Sequence, residues 1–124
     1  VPELADVVEV DRASADPDDT LAAVAERMYD LQVEAVVVLV DGTLVGIFTE
    51  RDLVRACAGG ADPRDDTVER WMTRAPEVAG PQDDAAVALR TMLRRRFRHL
   101  PVVGDDGVVG IVSLTNLAAA LNGH

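Results

Sequence analysis

The chain has little with which to do covalent chemistry. In 124 residues it carries one cysteine, Cys57, and two histidines, His99 and His124. A single cysteine excludes an internal disulfide and fits a reducing compartment, so a cytoplasmic protein is expected. No CxxC motif accompanies Cys57, and no nucleophile–base arrangement can be assembled from one cysteine and two histidines. A phosphate-cradling glycine loop is also missing, because residues 104–110 read as a hairpin between strands, not a strand-to-helix turn. Catalysis is therefore not expected. Positive charge is short as well: 12 Lys and Arg stand against 22 Asp and Glu, for a net charge of −10. That balance argues against duplex DNA or RNA, where neutralising phosphates supplies most of the affinity, and against an anionic membrane surface. No apolar run approaches the roughly 20 residues that span a bilayer, and no signal peptide is visible. The acidic clusters at Asp16, Asp18 and Asp19 and at Asp105 and Asp106 lack EF-hand spacing, so they read as helix caps and turns, and no metal is expected. Aromatic residues make up only 3% of a chain that is 48% hydrophobic, so the core must be mostly aliphatic. The chain begins at Val1 rather than Met, which leaves open that it is a piece of a longer protein.

What is present is a repeat. The segment Val45-Gly46-Ile47-Phe48-Thr49-Glu50-Arg51-Asp52-Leu53 returns 64 residues later as Val109-Gly110-Ile111-Val112-Ser113-Leu114-Thr115-Asn116-Leu117. The match runs back through Asp41/Asp105, Val38/Val102, Met28/Met92 and Asp19/Asp83 to Pro17/Pro81. A repeat of this length means two copies of one supersecondary unit, neither able to bury its apolar face alone.

Each copy reads as strand, helix, strand, strand, helix. In the first, Asp18, Asp19 and Thr20 offer acceptors for a helix start, and Leu21, Val24, Ala25, Met28 and Leu31 follow at helical spacing. Residues 34–40 are almost wholly apolar, as in a buried strand. Asp41-Gly42 is a tight-turn signal, residues 43–49 return, and 50–58 form a second helix stopped by Gly59-Gly60. The second copy repeats the order: a helix from Asp84 with Ala85, Ala88, Leu89, Met92 and Leu93 inward, strands at 99–103 and 108–113, and a helix at 114–121. Residues 68–72 look like a short entering helix. Short first strands are expected near 7–10 and 77–79. The repeats divide as 1–60 and 71–124, with a connector at 61–70.

The second copy carries Trp71-Met72-Thr73, then Pro81 with Asp83-Asp84, then Phe97-Arg98-His99-Leu100-Pro101-Val102-Val103, then Gly110-Ile111-Val112-Ser113 with Asn116-Leu117. In order, spacing and duplication this resembles the CBS domain, and two in tandem resemble a CBS pair, or Bateman module. The resemblance covers about residues 7–121. It implies an α/β fold of α+β type: two βαββα repeats packed sheet to sheet with pseudo-twofold symmetry. It also implies regulation in place of catalysis. Such pairs bind AMP, ADP, ATP or S-adenosylmethionine in clefts between the repeats, need no further cofactor, commonly form homodimers, and regulate an attached domain or partner protein.

The family pattern assembles each cleft crosswise, so the two can be compared. An adenine nucleotide asks for a carboxylate on its ribose diol, donors and cations on its phosphates, and an apolar slot for its base. Cleft one takes Ile47, Thr49 and Asp52 from the first copy, with Arg51 as a further candidate. From the second it takes Thr73, Val78 and the stretch through Leu100 and Pro101, with Arg95, Arg96, Arg98 and His99 as phosphate candidates. Cleft two takes Ile111, Ser113 and Asn116 from the second copy and Val10, Val33, Glu34 and Ala35 from the first. Asn116 lacks the charge and one acceptor oxygen of Asp52. Glu34 and Ala35 replace Arg98 and His99, and Asp30-Leu31-Gln32 replaces Arg94-Arg95-Arg96. Cleft one is expected to be competent and cleft two degenerate.

Every one of these residues also has a structural reading. Asp52 and Asn116 sit one turn into helices, where they complement the dipole and local donors. Thr49 and Ser113 are natural N-caps. The arginine run suits a helix C-terminus, His99 suits a core position, and Cys57 is helix packing. Two functions stay open: an adenosyl-ligand sensor, or a ligand-independent dimerisation and docking module.

Overall fold

A computed structural model of the chain describes residues 2–10 and 13–122. In chain order the elements are β1 (Glu9–Val10), β2 (Ser14–Ala15), α1 (Leu21–Leu31), β3 (Ala35–Val40), β4 (Thr43–Thr49), α2 (Glu50–Ala58), α3 (Val68–Trp71), β5 (Thr73–Arg74), α4 (Ala85–Arg95), β6 (His99–Gly104), β7 (Gly107–Ser113) and α5 (Leu114–Leu121). They form a sheet of order β2-β3-β4-β5 and another of order β1-β7-β6, each with its own helices, an α+β fold. Two compact units contain them. The contiguous unit is Arg12–Pro76, and the split unit is Val1–Asp11 together with Glu77–His124.

The paired helices begin and end alike. Thr20 caps α1, its hydroxyl accepting from the Ala23 N–H at 3.2 Å, and Asp84 caps α4 by accepting from Ala86 N–H at 2.7 Å. These side-chain acceptors satisfy donors that a helix start leaves open. The buried stripes are Leu21, Val24 and Met28 on α1 and Ala85, Ala88 and Met92 on α4. Both helices stop in a left-handed residue, Gln32 at φ 57° and Arg96 at φ 63°, where glycine is the usual choice. Leu31 and Leu93, expected to face inward, are exposed. Leu31 overhangs the last turn, and Leu93 stands about 100° round the helix from Met92, off the stripe.

Each unit is built on a two-strand antiparallel hairpin, β3–β4 or β6–β7, with equivalent registers. Residues 35–38 are buried on both faces, as the unbroken apolar run implied. Asp41 at φ 51° and Gly42 at φ 79° close the first hairpin in the mirror-image turn that suits twisted strands.

The expected first strand at residues 7–10 has a different role. The leading strand of the first repeat is β2, parallel to β3. Its counterpart at Ala79 makes a single parallel bridge to Val102. The 64-residue offset places 77–79 opposite 13–15, not 7–10, and the small residues Ala13 and Ala15 are almost fully buried. Residues 9–10 correspond instead to 73–74, and both pairs are exchanged. β1, from the head of the first repeat, pairs with β7 through Glu9↔Ile111 and Val10↔Gly110. β5, from the head of the second, pairs with β4 through Thr73↔Ile47 and Arg74↔Gly46.

The segments before these strands follow the same rule. Leu4 N–H donates to the Asp83 carbonyl, Ala5 N–H to Pro81, and Ala85 N–H to Pro2. In the contiguous unit Val68 N–H donates to Asp19, Glu69 N–H to Pro17, and Leu21 N–H to Asp66. Leu4 and Val68 are both fully buried, each in the core of the unit it joins. The compact units accordingly divide near residues 11 and 76, not across the connector expected at 61–70.

Gly46 admits β5 at close range. A Cβ there would lie 2.5 Å from Met72 Sδ and 2.9 Å from the Thr73 carbonyl oxygen. Gly46→Ala should therefore cost about 1–3 kcal/mol in urea unfolding, the usual penalty for overpacking. Leu4→Ala should cost about 2–5 kcal/mol, the range for truncating a buried leucine. A loss below about 0.5 kcal/mol, the scale of ordinary surface changes, would show that the arm contributes little to the split unit's core.

Candidate functional site

In the contiguous unit, the end of β4 and the start of α2 gather the candidate residues of the first copy. Ile47 is buried and stands opposite exposed Thr73, and Thr49 stands opposite Ala35. Thr49 is the N-cap of α2, and Asp52 is its third residue. The two form a reciprocal capping box. The Thr49 N–H donates to Asp52 Oδ2 at 3.0 Å, and the Asp52 N–H donates to Thr49 Oγ1 at 3.3 Å. The Thr49 hydroxyl also donates to Asp52 Oδ2 at 3.2 Å, which commits its one proton.

Asp52 is 7% exposed, the one buried charged side chain among the described residues. A buried carboxylate is tolerated when paired and hydrogen-bonded. Here Arg55 Nη2 donates to Oδ1 at 3.3 Å. The same nitrogen donates to the Trp71 carbonyl at 2.6 Å, and the guanidinium carbon lies 5.4 Å from the Trp71 ring centroid. Asp52 is thus tied through Arg55 to the exchanged segment. Sequence reasoning passed over Arg55 and gave Trp71 no role at the site. The signal was available: 64 residues on, Arg55 becomes Ala119, Asp52 becomes Asn116, and Trp71 corresponds to Val7.

Arg51 is exposed on α2. Glu34 precedes β3 and Ala35 opens it, and the Glu34 carbonyl accepts from the Glu50 N–H at 3.0 Å.

The split unit holds the remaining candidates. Ser113 caps α5, its Oγ accepting from the Asn116 N–H at 3.1 Å, so the N-cap geometry of Thr49 is kept. His99 stands opposite Ser113, and Pro101 opposite Ile111, on one hairpin. Pro101 is buried, and its carbonyl accepts from Ala79 N–H at 3.0 Å. Leu100 is a core residue, so its side chain is spent on packing. Val78 is 47% exposed. Of the arginines, Arg95 is in an ion pair with Glu77, which holds its charge locally. Arg96 is the left-handed cap of α4, and exposed Arg98 gives its carbonyl to Leu114 N–H at 2.8 Å. Neither Arg96 nor Arg98 forms an ion pair among the described residues. Val10 contributes backbone to β1, and its side chain lies outside the described set. No group of three or more metal-binding side chains exists among the described residues, and no described helix is long and apolar enough to cross a membrane.

This geometry has known relatives. A family model for the CBS domain matches twice, at residues 4–59 and 68–123. An uncharacterized 17.7 kDa protein of Acidianus ambivalens is 41% identical over 109 residues, covering 85% of this chain and 64% of that one. A Schizosaccharomyces pombe relative, the meiotically up-regulated gene 70 protein, is 38% identical over 104 residues, but the chain spans only 14% of its length. Among solved structures, the CBS-domain protein ATU1752 from Agrobacterium tumefaciens is 31% identical with a TM-score of 0.87, over 97% of this chain and 99% of that one. The CBS pair of protein MJ0100, solved with 5'-methylthioadenosine and S-adenosyl-L-methionine, is 23% identical with a TM-score of 0.88, over 99% and 98%. CBSX2, solved with AMP, is 23% identical with a TM-score of 0.84, over 99% and 98%. Two matched domains covering nearly the whole sequence place this chain in the CBS-domain family, as a tandem pair.

Proposed function

We propose that this CBS pair is a regulatory sensor of an adenosine-containing ligand, and that Asp52 is the residue that receives the ribose. The observation that carries this reading is a carboxylate buried to 7% exposure and fixed by Thr49 and Arg55 at the start of a helix. Each carboxylate oxygen has two lone-pair directions. Oδ1 accepts only from Arg55 among the described residues, which leaves acceptor capacity for a diol. The adenosyl ligands of the MJ0100 and CBSX2 pairs support the ligand class. In this reading Arg96 and Arg98 meet phosphate charge, and Arg95, already paired with Glu77, does so less.

The equivalent position in the split unit keeps the cap through Ser113 but presents Asn116. An amide has one acceptor oxygen and no charge, so that copy is proposed to be degenerate. Occupancy is proposed to reach a partner or a second copy through the segment Val68–Trp71, because Arg55 holds Asp52 and the Trp71 carbonyl at once.

Calorimetric titration of AMP, ATP and S-adenosylmethionine into the chain tests this directly. Asp52→Ala should weaken binding by about 1.5–3 kcal/mol, the range for hydrogen bonds to charged groups, and Asn116→Ala should change it little. Arg98→Ala should penalise AMP more than adenosine. Trp71 is the one tryptophan in the sequence, so its fluorescence should shift with saturation in the native chain. Binding that survives Asp52→Ala and vanishes with Asn116→Ala would reverse the assignment. No binding of any of the three would reject the sensor reading in favour of an interaction module.

A further inference from the structure

The arginines around the end of α4 meet one carboxylate, and it comes from outside their own segment. Between Ala85 and Gly104 the chain has no acidic residue. Arg94, Arg95, Arg96 and Arg98 are all exposed there. Arg94, Arg96 and Arg98 form no ion pair among the described residues. Arg95 does: its Nη1 donates to Oε1 of Glu77, a residue of the irregular segment before α4.

The fold does not ask for that carboxylate. The side chains of Arg95 and Glu77 are 57% and 38% exposed, and exposed ion pairs contribute little to stability. In the first copy Glu77 corresponds to Ala13 and Arg95 to Leu31, so the pair has no counterpart. Ala13 is 1% exposed, a small residue fitted into the core of the contiguous unit. In the split unit the matching segment makes only the parallel bridge Ala79↔Val102, and Glu77 stands in solvent. Packing therefore restricts this position in one copy and leaves it open to a charge in the other.

We propose that Glu77 is a specificity-determining residue, which admits an adenosyl ligand of low phosphate charge such as AMP and holds back a triphosphate. The proposal rests on the sensor reading above. A guanidinium binds a carboxylate and a phosphate through the same fork of donors, so Glu77 and a phosphate compete for Arg95. A displaced Glu77 repels the ligand, and the repulsion grows with the phosphate charge that the ligand brings. A monophosphate is served by Arg96 and Arg98 and leaves the Arg95 pair intact. A longer phosphate chain needs a further cation and finds Arg95 taken. Discrimination of this kind sets an unfavourable charge against the competitor.

Calorimetric titration of adenosine, AMP and ATP into the native chain, Glu77→Gln, Arg95→Gln and the double variant tests it, with circular dichroism confirming each fold. The native chain should bind AMP at least as tightly as ATP. Glu77→Gln should raise the ratio of ATP to AMP affinity by about tenfold, and added salt should erode that gain. Arg95→Gln leaves Glu77 without its partner and should lower the ratio below the native value. The double variant removes both charges and should move the ratio back toward the native value. A native preference for ATP, or a ratio that Glu77→Gln does not raise, overturns the proposal and leaves the sensor reading standing. Absence of binding by all three ligands also overturns it, and titration of S-adenosylmethionine then shows whether the sensor reading falls with it.

Discussion

The reciprocal exchange of arms is the constraint on which the rest depends. A β3–β4 hairpin leaves one side of β4 unpaired, and a β6–β7 hairpin leaves one side of β7 unpaired. Open strand edges invite wrong partners. Here β5 covers the first and β1 the second, in the same register. The exchange also completes both cores, with Leu4 entering one and Val68 the other. Backbone hydrogen bonds repeat from arm to arm at the 64-residue offset, so the exchange is a property of the repeat itself. Gly46 shows how closely it is built, since even one methyl group would collide with Met72.

On this shared frame the two copies have diverged where chemistry is possible. Thr49 and Ser113 both cap their helices, so the backbone turn is the same. What differs is the third residue of each helix and its surroundings. Asp52 with Arg55 and Trp71 forms a charged, buried group linked to the exchanged segment. Asn116, Ala119 and Val7 at the corresponding positions carry no charge. A frame that holds two equivalent positions lets one be charged and the other neutral at no cost to the fold. The same logic governs the outer surface, where Glu26 and Asp30 become Arg90 and Arg94 without touching the buried stripe.

Much of this was legible in the sequence because it rests on periodicity and local chemistry. The strand at 43–49 and the helices at 50–58 and 114–121 have the bounds that the pattern of apolar residues and caps implied. Thr49 and Asp52 stood out through the resemblance to the CBS pattern, although a hydroxyl and a carboxylate three residues apart at a helix start also read as a cap, and they form one here. The pairing of β1 with β7 was not legible, since two-residue strands carry no periodic signal and their partners lie about a hundred residues away. Leu93 misled because an exposed leucine and a buried one differ only by their angle around the helix. Arg55 was passed over because its role depends on the Trp71 carbonyl, a backbone group that no side-chain pattern announces. The ion pair of Arg95 with Glu77 was hidden because it joins α4 to a residue of the irregular segment before it, which carries no periodic signal.

The exchange of arms also orders events in time. The segment bearing Leu4 is made well before the residues that form its place in a core, such as Val102, Val112 and Leu117. Throughout synthesis of the intervening chain this leucine and the edge of β1 stay without their native partners. The contiguous unit has no such wait, because residues 12–76 contain all its strands. Synthesis therefore completes the contiguous unit before the split one. Closure of the split unit joins β1 to β7, a contact of high sequence separation and slow formation.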